Sequence, residues 1–390
     1  MASQHSGRGS VFYDPKIRGV FFQAVLFVVL VAFFWWIAGN TVANLRHAHI
    51  ASGFGFLNGR AGFDVSDALI SYSSDSTMGR ALLVGLLNTL LVSAAGIVTA
   101  TIIGFLVGIG RLARNWLLRQ LCTIYVEIFR NIPPLLVIFF WYLGVLSVLP
   151  LPRNSIRLPF ETYLNSRGFY MPAPVWGEGA WLVGAGFLAG IVLALLVARW
   201  ARRRQMATGR RFPVLWASAM LIAGLPLALF ALTGFPLSFD IPKASTFNLT
   251  GGLQVKPEFL SLYLALSFYT AAFIAEIVRA GILGVARGQT EAAWSLGLKP
   301  GLTLRLVVVP QALRIIVPPL TSQYLNLTKN SSLAVAIGYA DLVAIGGTIL
   351  NQTGQAIEIV AIWMVVYLGI SLAVSVLMNW FNARTALKER

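Results

Sequence analysis

Apolar residues run along this chain in long unbroken stretches, separated by shorter polar segments rich in Gly, Pro and Arg. Eight stretches approach or exceed the ~20 residues that a helix needs to cross a bilayer. They are 20–38, 81–109, 121–149, 181–198, 214–234, 259–281, 314–337 and 357–379. The first, VFFQAVLFVVLVAFFWWIA, has Gln23 as its one polar residue and ends on the interfacial pair Trp35–Trp36. It is too long for the apolar core of a signal peptide and no convincing cleavage site follows, so it reads as a retained membrane helix. Two stretches are poor helices in isolation. The third carries Glu127, Arg130 and Asn131 and then Pro133–Pro134; the seventh carries Pro318–Pro319 and then Asn326, Lys329, Asn330, Ser331 and Ser332. Interrupted helices at membrane depth are tolerated only where they pack on protein or line a cavity. These two are therefore predicted to be broken and to face the interior of an assembly. Stretches 181–198 and 214–234 hold no charge and are predicted to form a lipid-facing hairpin.

Composition supports the membrane reading and fixes an orientation. Of 390 residues, 57% are hydrophobic and 11% charged, against roughly a quarter charged in a soluble domain. The fold class predicted is an all-α polytopic membrane protein with about eight transmembrane helices. The net charge of +16 is unevenly placed. With the N-terminus inside, the segments 1–19, 110–120, 199–213, 279–314 and 380–390 hold 20 Lys/Arg, against 8 in the opposite loops 39–80, 150–180, 235–258 and 338–356. The positive-inside rule then puts both termini in the cytoplasm. A nucleic-acid surface would need base-reading or stacking elements as well, and none is visible. The lone Cys122 cannot form an intramolecular disulfide, and with His5, His47 and His49 it offers no metal-ligand spacing. His47 and His49 read as loop residues. Outside, 39–80 is predicted to be a loop or surface helix. Segment 150–180, with five prolines, is predicted to be an ordered but irregular cap, with Trp176 and Trp181 at the interface. Acids and bases balance over these outer loops, which suits a docking partner without single-sign steering.

One polar island stands out on the cytoplasmic side, EAAWSLGLKPGLTLRLVVVP at 291–310. Glu291 to Leu296 are predicted to form a short helix, with Thr290 near its start and Glu291 complementing the helix dipole. Ala292 and Ala293 give it a smooth surface that fits a groove. Gly297 is placed to end it in a left-handed conformation. Lys299–Pro300–Gly301 makes a turn, and a second short helix runs to Pro310, where the next span begins.

The spacing Glu-Ala-Ala-x3-Gly-x9-Val-x-Val-Pro resembles the EAA loop of bacterial ABC importer permeases, with Val307 and Val309 where that family usually has Ile and Leu. YVEIFRNIPP at Tyr125–Pro134, LLNTL at Leu86–Leu90, AFIAEIVRAGI at Ala272–Ile282 and KNSSL at Lys329–Leu333 resemble motifs of the polar amino-acid (histidine/glutamine/arginine-type) permeases. The longer architecture is similar to the general L-amino-acid permeases of the Aap/Bzt type. The resemblance implies a five-helix core in two parts, 81–149 and 259–390, with a coupling loop at 283–313. Segment 1–80 adds an extra helix with its outer loop, and 150–258 an outer segment and an extra hairpin. It also implies partners: ATP-binding subunits docked on Glu291, Ala292, Ala293, Gly297 and Pro310, a second homologous permease subunit, and a periplasmic amino-acid-binding protein.

No GxxxxGK[ST] phosphate loop is present, so this chain is expected to bind no cofactor, with ATP and Mg on the partner subunits. Candidates for the substrate pathway at membrane depth are Glu127, Arg130, Glu276, Asn330, Ser331 and Ser332. Glu127 and Arg130 are three apart, as are Glu276 and Arg279, so each pair is open to a second reading in which it neutralises itself on one helix face. Asn330 to Ser332 are equally open to bonding neighbouring helices. Asp341 reads as a loop carboxylate, with an external gate or a binding-protein contact as alternatives; Glu358 is assigned no role. A secondary transporter or channel would keep the intramembrane charges but leave the island unexplained, and a membrane-embedded enzyme lacks a catalytic cluster.

Overall fold

In a computed structural model, residues 15–47, 52–210, 212–244 and 248–385 are described. The predicted cytoplasmic ends at 1–14 and 386–390, and with them His5, lie outside these residues, as does His49. His47 is the last residue of a helix, α1 (Pro15–His47), and so is no loop residue. Among the described residues, seven helices are long and apolar enough to span a membrane, and the broken pair Trp116–Asn131 and Pro134–Leu146, counted as one span, brings the number to eight. The described residues divide into two compact units, one within 1–131 and 266–390, the other within 132–265.

The first unit is built around α2 (Met78–Gly110), which is capped by Thr77 accepting from the Arg80 amide at 3.2 Å. Every fourth residue from 96 to 108 on α2 is small: Gly96, Ala100, Gly104 and Gly108. This stripe lets α8 (Pro257–Leu283) approach to backbone distance. A Cβ added at Gly104 would lie 2.6 Å from Ile274 Cβ, and one at Gly108 would lie 2.7 Å from the Ala275 carbonyl oxygen. Small residues at this spacing are how membrane helices gain close packing where no hydrophobic effect separates helix from lipid. Gly104→Leu is therefore expected to cost ~1–3 kcal/mol by overpacking, read as a lower melting midpoint of the detergent-solubilised protein. Gly369→Leu, where an added Cβ meets nothing within 4 Å, should leave the midpoint unchanged.

Segment 39–80 is neither all loop nor a surface helix. It begins as the end of α1, makes a 3-10 turn at Phe54–Asn58 and then runs to α2 as a loop with bends and a turn, its ends joined by an isolated bridge between Arg60 and Thr77. Phe56, Leu57, Phe63, Val65, Ile70 and Tyr72 pack on a buried cluster of Leu82, Val84, Leu342, Ile345, Ile349 and Ile359. Glu358 has a structural role here, since its carboxylate accepts from the Gly53 amide at 2.6 Å and its residue is 8% exposed.

The third span breaks as predicted: α3 (Trp116–Asn131) stops before Pro133, and α4 (Pro134–Phe139) continues as a π-helix over Phe140–Leu146. The seventh does not break at its prolines. The helical run extends from Pro300 to Ile337 without interruption, and α11 (Val309–Asn330) passes straight through Pro318–Pro319. Buried Ile316, Val317 and Leu320 flank the pair and hold the helix by packing, which outweighs the lost amide bonds. The segment 338–356, expected to be an outer loop, is also more regular than its sequence suggests: α12 (Leu342–Thr353) buries Leu342, Ile345, Gly346 and Ile349 on one face and leads into α13 (Ala356–Thr385).

The second unit holds the hairpin of α5 (Ala180–Thr208) with α6 (Val214–Ala219), a π-turn at Met220–Gly224 and α7 (Leu225–Leu232). Gly186 and Gly190 of α5 sit against Pro226, Leu229 and Leu221. The cap is not irregular. It is β-structured, with β1 (Ile156–Leu158), β2 (Thr162–Asn165), β3 (Gly168–Met171) and β8 (Leu253–Val255) in one antiparallel sheet of that order. A pair of β4 (Ala173–Trp176) with β5 (Leu237–Asp240) and a pair of β6 (Lys243–Ala244) with β7 (Leu249–Thr250) complete it. The strands are two to four residues long, too short for their alternation to register among five prolines.

Candidate functional site

The island at 291–310 folds as a helix, a turn and a second helix, with boundaries that differ from those predicted. The first helix, α9 (Arg287–Ser295), starts four residues before Glu291; its N-cap residue is Ala286, with no side-chain cap, and Thr290 lies inside it. Glu291 therefore sits in the second turn rather than against the positive end. What secures the start is tertiary: the Gln311 amide donates to the Gln289 side-chain oxygen at 3.1 Å. Gly297 takes φ +75, and around it the chain closes a Schellman motif. The Gly297 amide donates to the Trp294 carbonyl at 2.8 Å and the Leu298 amide to the Ala293 carbonyl at 3.1 Å.

Pro300 then starts α10 (Pro300–Thr303), which passes through a π-turn at Leu304–Val308 into α11. The second helix therefore does not end at Pro310. The π-turn just upstream accommodates the ring and the missing amide, and the second half of the island and the span are one continuous helical rod from Pro300 to Ile337. Ala293 and Thr303 are buried where α9 meets this rod, 3% and 2% exposed. The Thr303 hydroxyl donates to the Lys299 carbonyl at 3.2 Å. On the outer surface Glu291, Ala292, Ser295 and Gly297 are exposed, and with them the large apolar side chains Trp294 and Leu296, the latter 82% exposed.

At membrane depth, the structure brings some of the predicted charges together and separates others. Glu276 on α8 is the hub. It accepts from Arg279 Nη2 at 2.6 Å, forms an ion pair with Arg111, and lies 3.8 Å from Arg130 Nη1. Three guanidinium groups, carried by α8 itself, the residue after α2, and α3, thus share one carboxylate. The Glu276–Arg279 pair closes on its own helix face, as one of its two readings had it. Glu127 and Arg130 do not pair: Glu127 is exposed, and its carboxylate makes no ion pair among the described residues, while Arg130 also lies over the Phe273 ring at 5.9 Å. Arg111 was missed because its partner is 165 residues away; the available signal was its position as the first residue past an apolar span. Ser331 is buried, and its hydroxyl donates to the Thr328 carbonyl at 2.7 Å. Ser332 donates to Lys329 O at 2.7 Å, and Asn330 is half-buried.

The LLNTL motif has a structural part to play. The Asn88 amide donates to the Asp67 and Ala340 carbonyls at 2.7 and 2.9 Å, and Thr89 Oγ1 accepts from the Leu342 amide at 3.1 Å. These bonds seat Asp341, which is fully buried rather than a loop carboxylate. It caps α12 by accepting from the Ala344 amide at 2.8 Å, and its Oδ2 has no hydrogen-bond partner among the described residues. Burial pushes its carboxyl up from the usual 3.8 to about 7. Between those values the unfolded chain has lost this proton while the folded chain keeps it, so its contribution to stability is full below the lower value and is lost as pH rises toward about 7. Asp341→Asn keeps the cap acceptor and removes the titration. It is expected to flatten the fall of the melting midpoint across that window; an unchanged pH profile would contradict this.

Comparison with known proteins places the chain in a family. The family model described as "Binding-protein-dependent transport system inner membrane component" matches residues 96–387, which include the whole island and every predicted pathway residue. The chain is 65% identical over 381 residues to the general L-amino acid transport system permease protein AapQ of Rhizobium johnstonii, covering 98% of this chain and 95% of that one. It is 42% identical over 412 residues to the glutamate/glutamine/aspartate/asparagine transport system permease protein BztB of Rhodobacter capsulatus, covering 97% and 96%. This chain belongs to the family of inner membrane components of binding-protein-dependent transport systems.

Proposed function

We propose that this chain is the permease subunit of an ATP-driven importer of L-amino acids, and that the island at 291–310 receives the stroke of a separate ATP-binding subunit. The observation that carries the coupling role is the exposure of Trp294 and Leu296 on a module fixed at both ends. Apolar side chains of this size on a short polar loop are covered in the assembly by a partner. Glu291, Ala292 and Gly297 shape the docking surface, whereas Ala293, expected from the sequence to belong to it, is 3% exposed and instead seats α9 on the helix beneath; Pro310 with its π-turn joins the island to the span. Because the helix from Pro300 to Ile337 is continuous, a tilt imposed at the island reaches the membrane-depth residues directly. The ATPases shift the transport equilibrium only to the extent that they bind its two states differently.

ATP and Mg reside on the partner chains, a second, homologous permease subunit completes the pathway, and a periplasmic binding protein delivers the cargo. The amino-acid cargo is supported by the relatives' assignments. Both termini lie in the cytoplasm, the orientation that the Lys/Arg distribution supports. A zwitterion needs an acceptor for its ammonium and a donor for its carboxylate. Of the pathway candidates, Glu127 and Arg130 are placed for this, the first exposed and the second with 40% of its side chain exposed. Glu276 holds their helices in place, and Asn330, Ser331 and Ser332 line the turn at the end of α11. Co-purification from the native membrane tests the reading: an ATP-binding subunit should accompany the chain, and reconstituted liposomes should take up L-amino acids only with ATP inside the docking side. Purification without such a subunit, together with ATP-independent uptake, would overturn it.

A further inference from the structure

We propose that the C-terminal end of α5 is a binding site for anionic phospholipid headgroups. Residues 180–234, the whole hairpin, contain no Asp or Glu. Arg199, Arg202, Arg203, Arg204 and Arg210 are all exposed, and none has a carboxylate partner within the hairpin to share its charge. At 100° per residue, Arg199, Arg202 and Arg203 fall on one face of the helix. The buried side of α5, marked by Gly186, Gly190, Ala194 and Ala201, lies opposite and packs on the returning arm. The arginines therefore point away from the hairpin's own protein contact.

Their depth is fixed by aromatic residues. Trp181 begins α5 and Trp200 lies 19 residues on, roughly 28 Å along a helix, against a hydrocarbon core of about 30 Å. Trp200 and Trp216 are 50% and 73% exposed at one end of the hairpin, and Trp176 and Trp181 are 59% and 73% exposed at the other. Two such belts are the mark of the two membrane–water interfaces. The Arg204 guanidinium lies 5.2 Å over the Trp200 ring, and Phe212 packs edge-on against that ring at 5.3 Å. The arginines thus begin where the hydrocarbon ends, at the level of lipid phosphates, and the planar guanidinium matches a phosphate in a two-pronged bond. A cluster that served orientation alone would need no such depth or common face. Charge and depth together select a lipid phosphate over a soluble anion.

Native mass spectrometry of the full-length chain, released from detergent and titrated with phosphatidylglycerol or phosphatidylcholine of identical acyl chains, tests this. The wild type is expected to retain phosphatidylglycerol about tenfold better, with the preference shrinking as ionic strength rises. R199Q/R202Q/R203Q should reduce it to about twofold or less, and R199K/R202K/R203K, which keeps the charge and the topology but gives up the two-pronged bond, should fall between the glutamine variant and the wild type. R153Q/R167Q, in the β-structured cap, should leave it intact. A wild type without preference would overturn the proposal whatever the variants do. So would an unchanged preference in the glutamine variant, or displacement of the lipid by equimolar inorganic phosphate, which would mark a general anion site.

Discussion

Replacing Gly297 by aspartate is expected to reduce ATP-driven uptake by more than a hundredfold while the protein still inserts and folds. Within the chain the substitution is mild. Gly297 has φ +75, but a Cβ added there meets nothing within 4 Å, and Asp is among the residues that tolerate this region best. The backbone cost is about 1 kcal/mol, too little to unfold the domain. In the assembly the same side chain would place an unpaired carboxylate under the docked ATP-binding subunit beside Trp294 and Leu296. Burying such a charge without a partner costs ~3 kcal/mol or more, enough to prevent docking. Gly297→Asn carries the same backbone cost without the charge and should retain most of the uptake, so the difference between the two variants isolates the interface. Uptake into proteoliposomes, with circular dichroism and ATP-binding-subunit co-purification as controls, reads all three quantities. Full activity of the aspartate variant would remove the docking role from this turn.

The local features of this turn could be read from sequence, and the tertiary ones could not. Gly297 and Pro300 announce a stop and a restart because only certain residues fit those backbone positions, and the apolar runs announce spans because lipid demands them. The start of α9 was misplaced because no side chain caps it; the Gln289–Gln311 bond that holds it joins residues 22 apart. Pro318–Pro319 suggested a break because their local cost is real, yet the burial of Ile316, Val317 and Leu320 overrides it. The stripe Gly96, Ala100, Gly104, Gly108 was present in the sequence at a helical spacing, but its partner face on α8 appears only in three dimensions. Asp341 misled in the opposite sense. A carboxylate in an apparent loop reads as solvated, whereas here Asn88 and Thr89, more than 250 residues earlier in the chain, fix its neighbours' backbone and bury it.

Glu276→Gln is expected to produce the second large loss, through charge rather than shape. Glutamine keeps the size of the side chain and one acceptor, but it leaves Arg111, Arg130 and Arg279 facing one another. Arg111 is the most buried of them, with 10% of its side chain exposed against 33% for Arg279 and 40% for Arg130. It has the most to lose. Removing one member of a buried ion pair costs ~3–5 kcal/mol, so the melting midpoint should fall and uptake should be lost. Arg130→Gln, which removes a partner at 3.8 Å that is also the most exposed, should cost the fold little, although losing the proposed contact with the substrate carboxylate should raise the KM for uptake. The decisive variant is R111Q/E276Q. If Glu276 acts by neutralising Arg111, the double variant should be more stable than E276Q alone, with a coupling energy of ~1 kcal/mol or more in the cycle. Additive losses would mean that the carboxylate serves something other than its arginines, and the transported amino acid would then be the first partner to test.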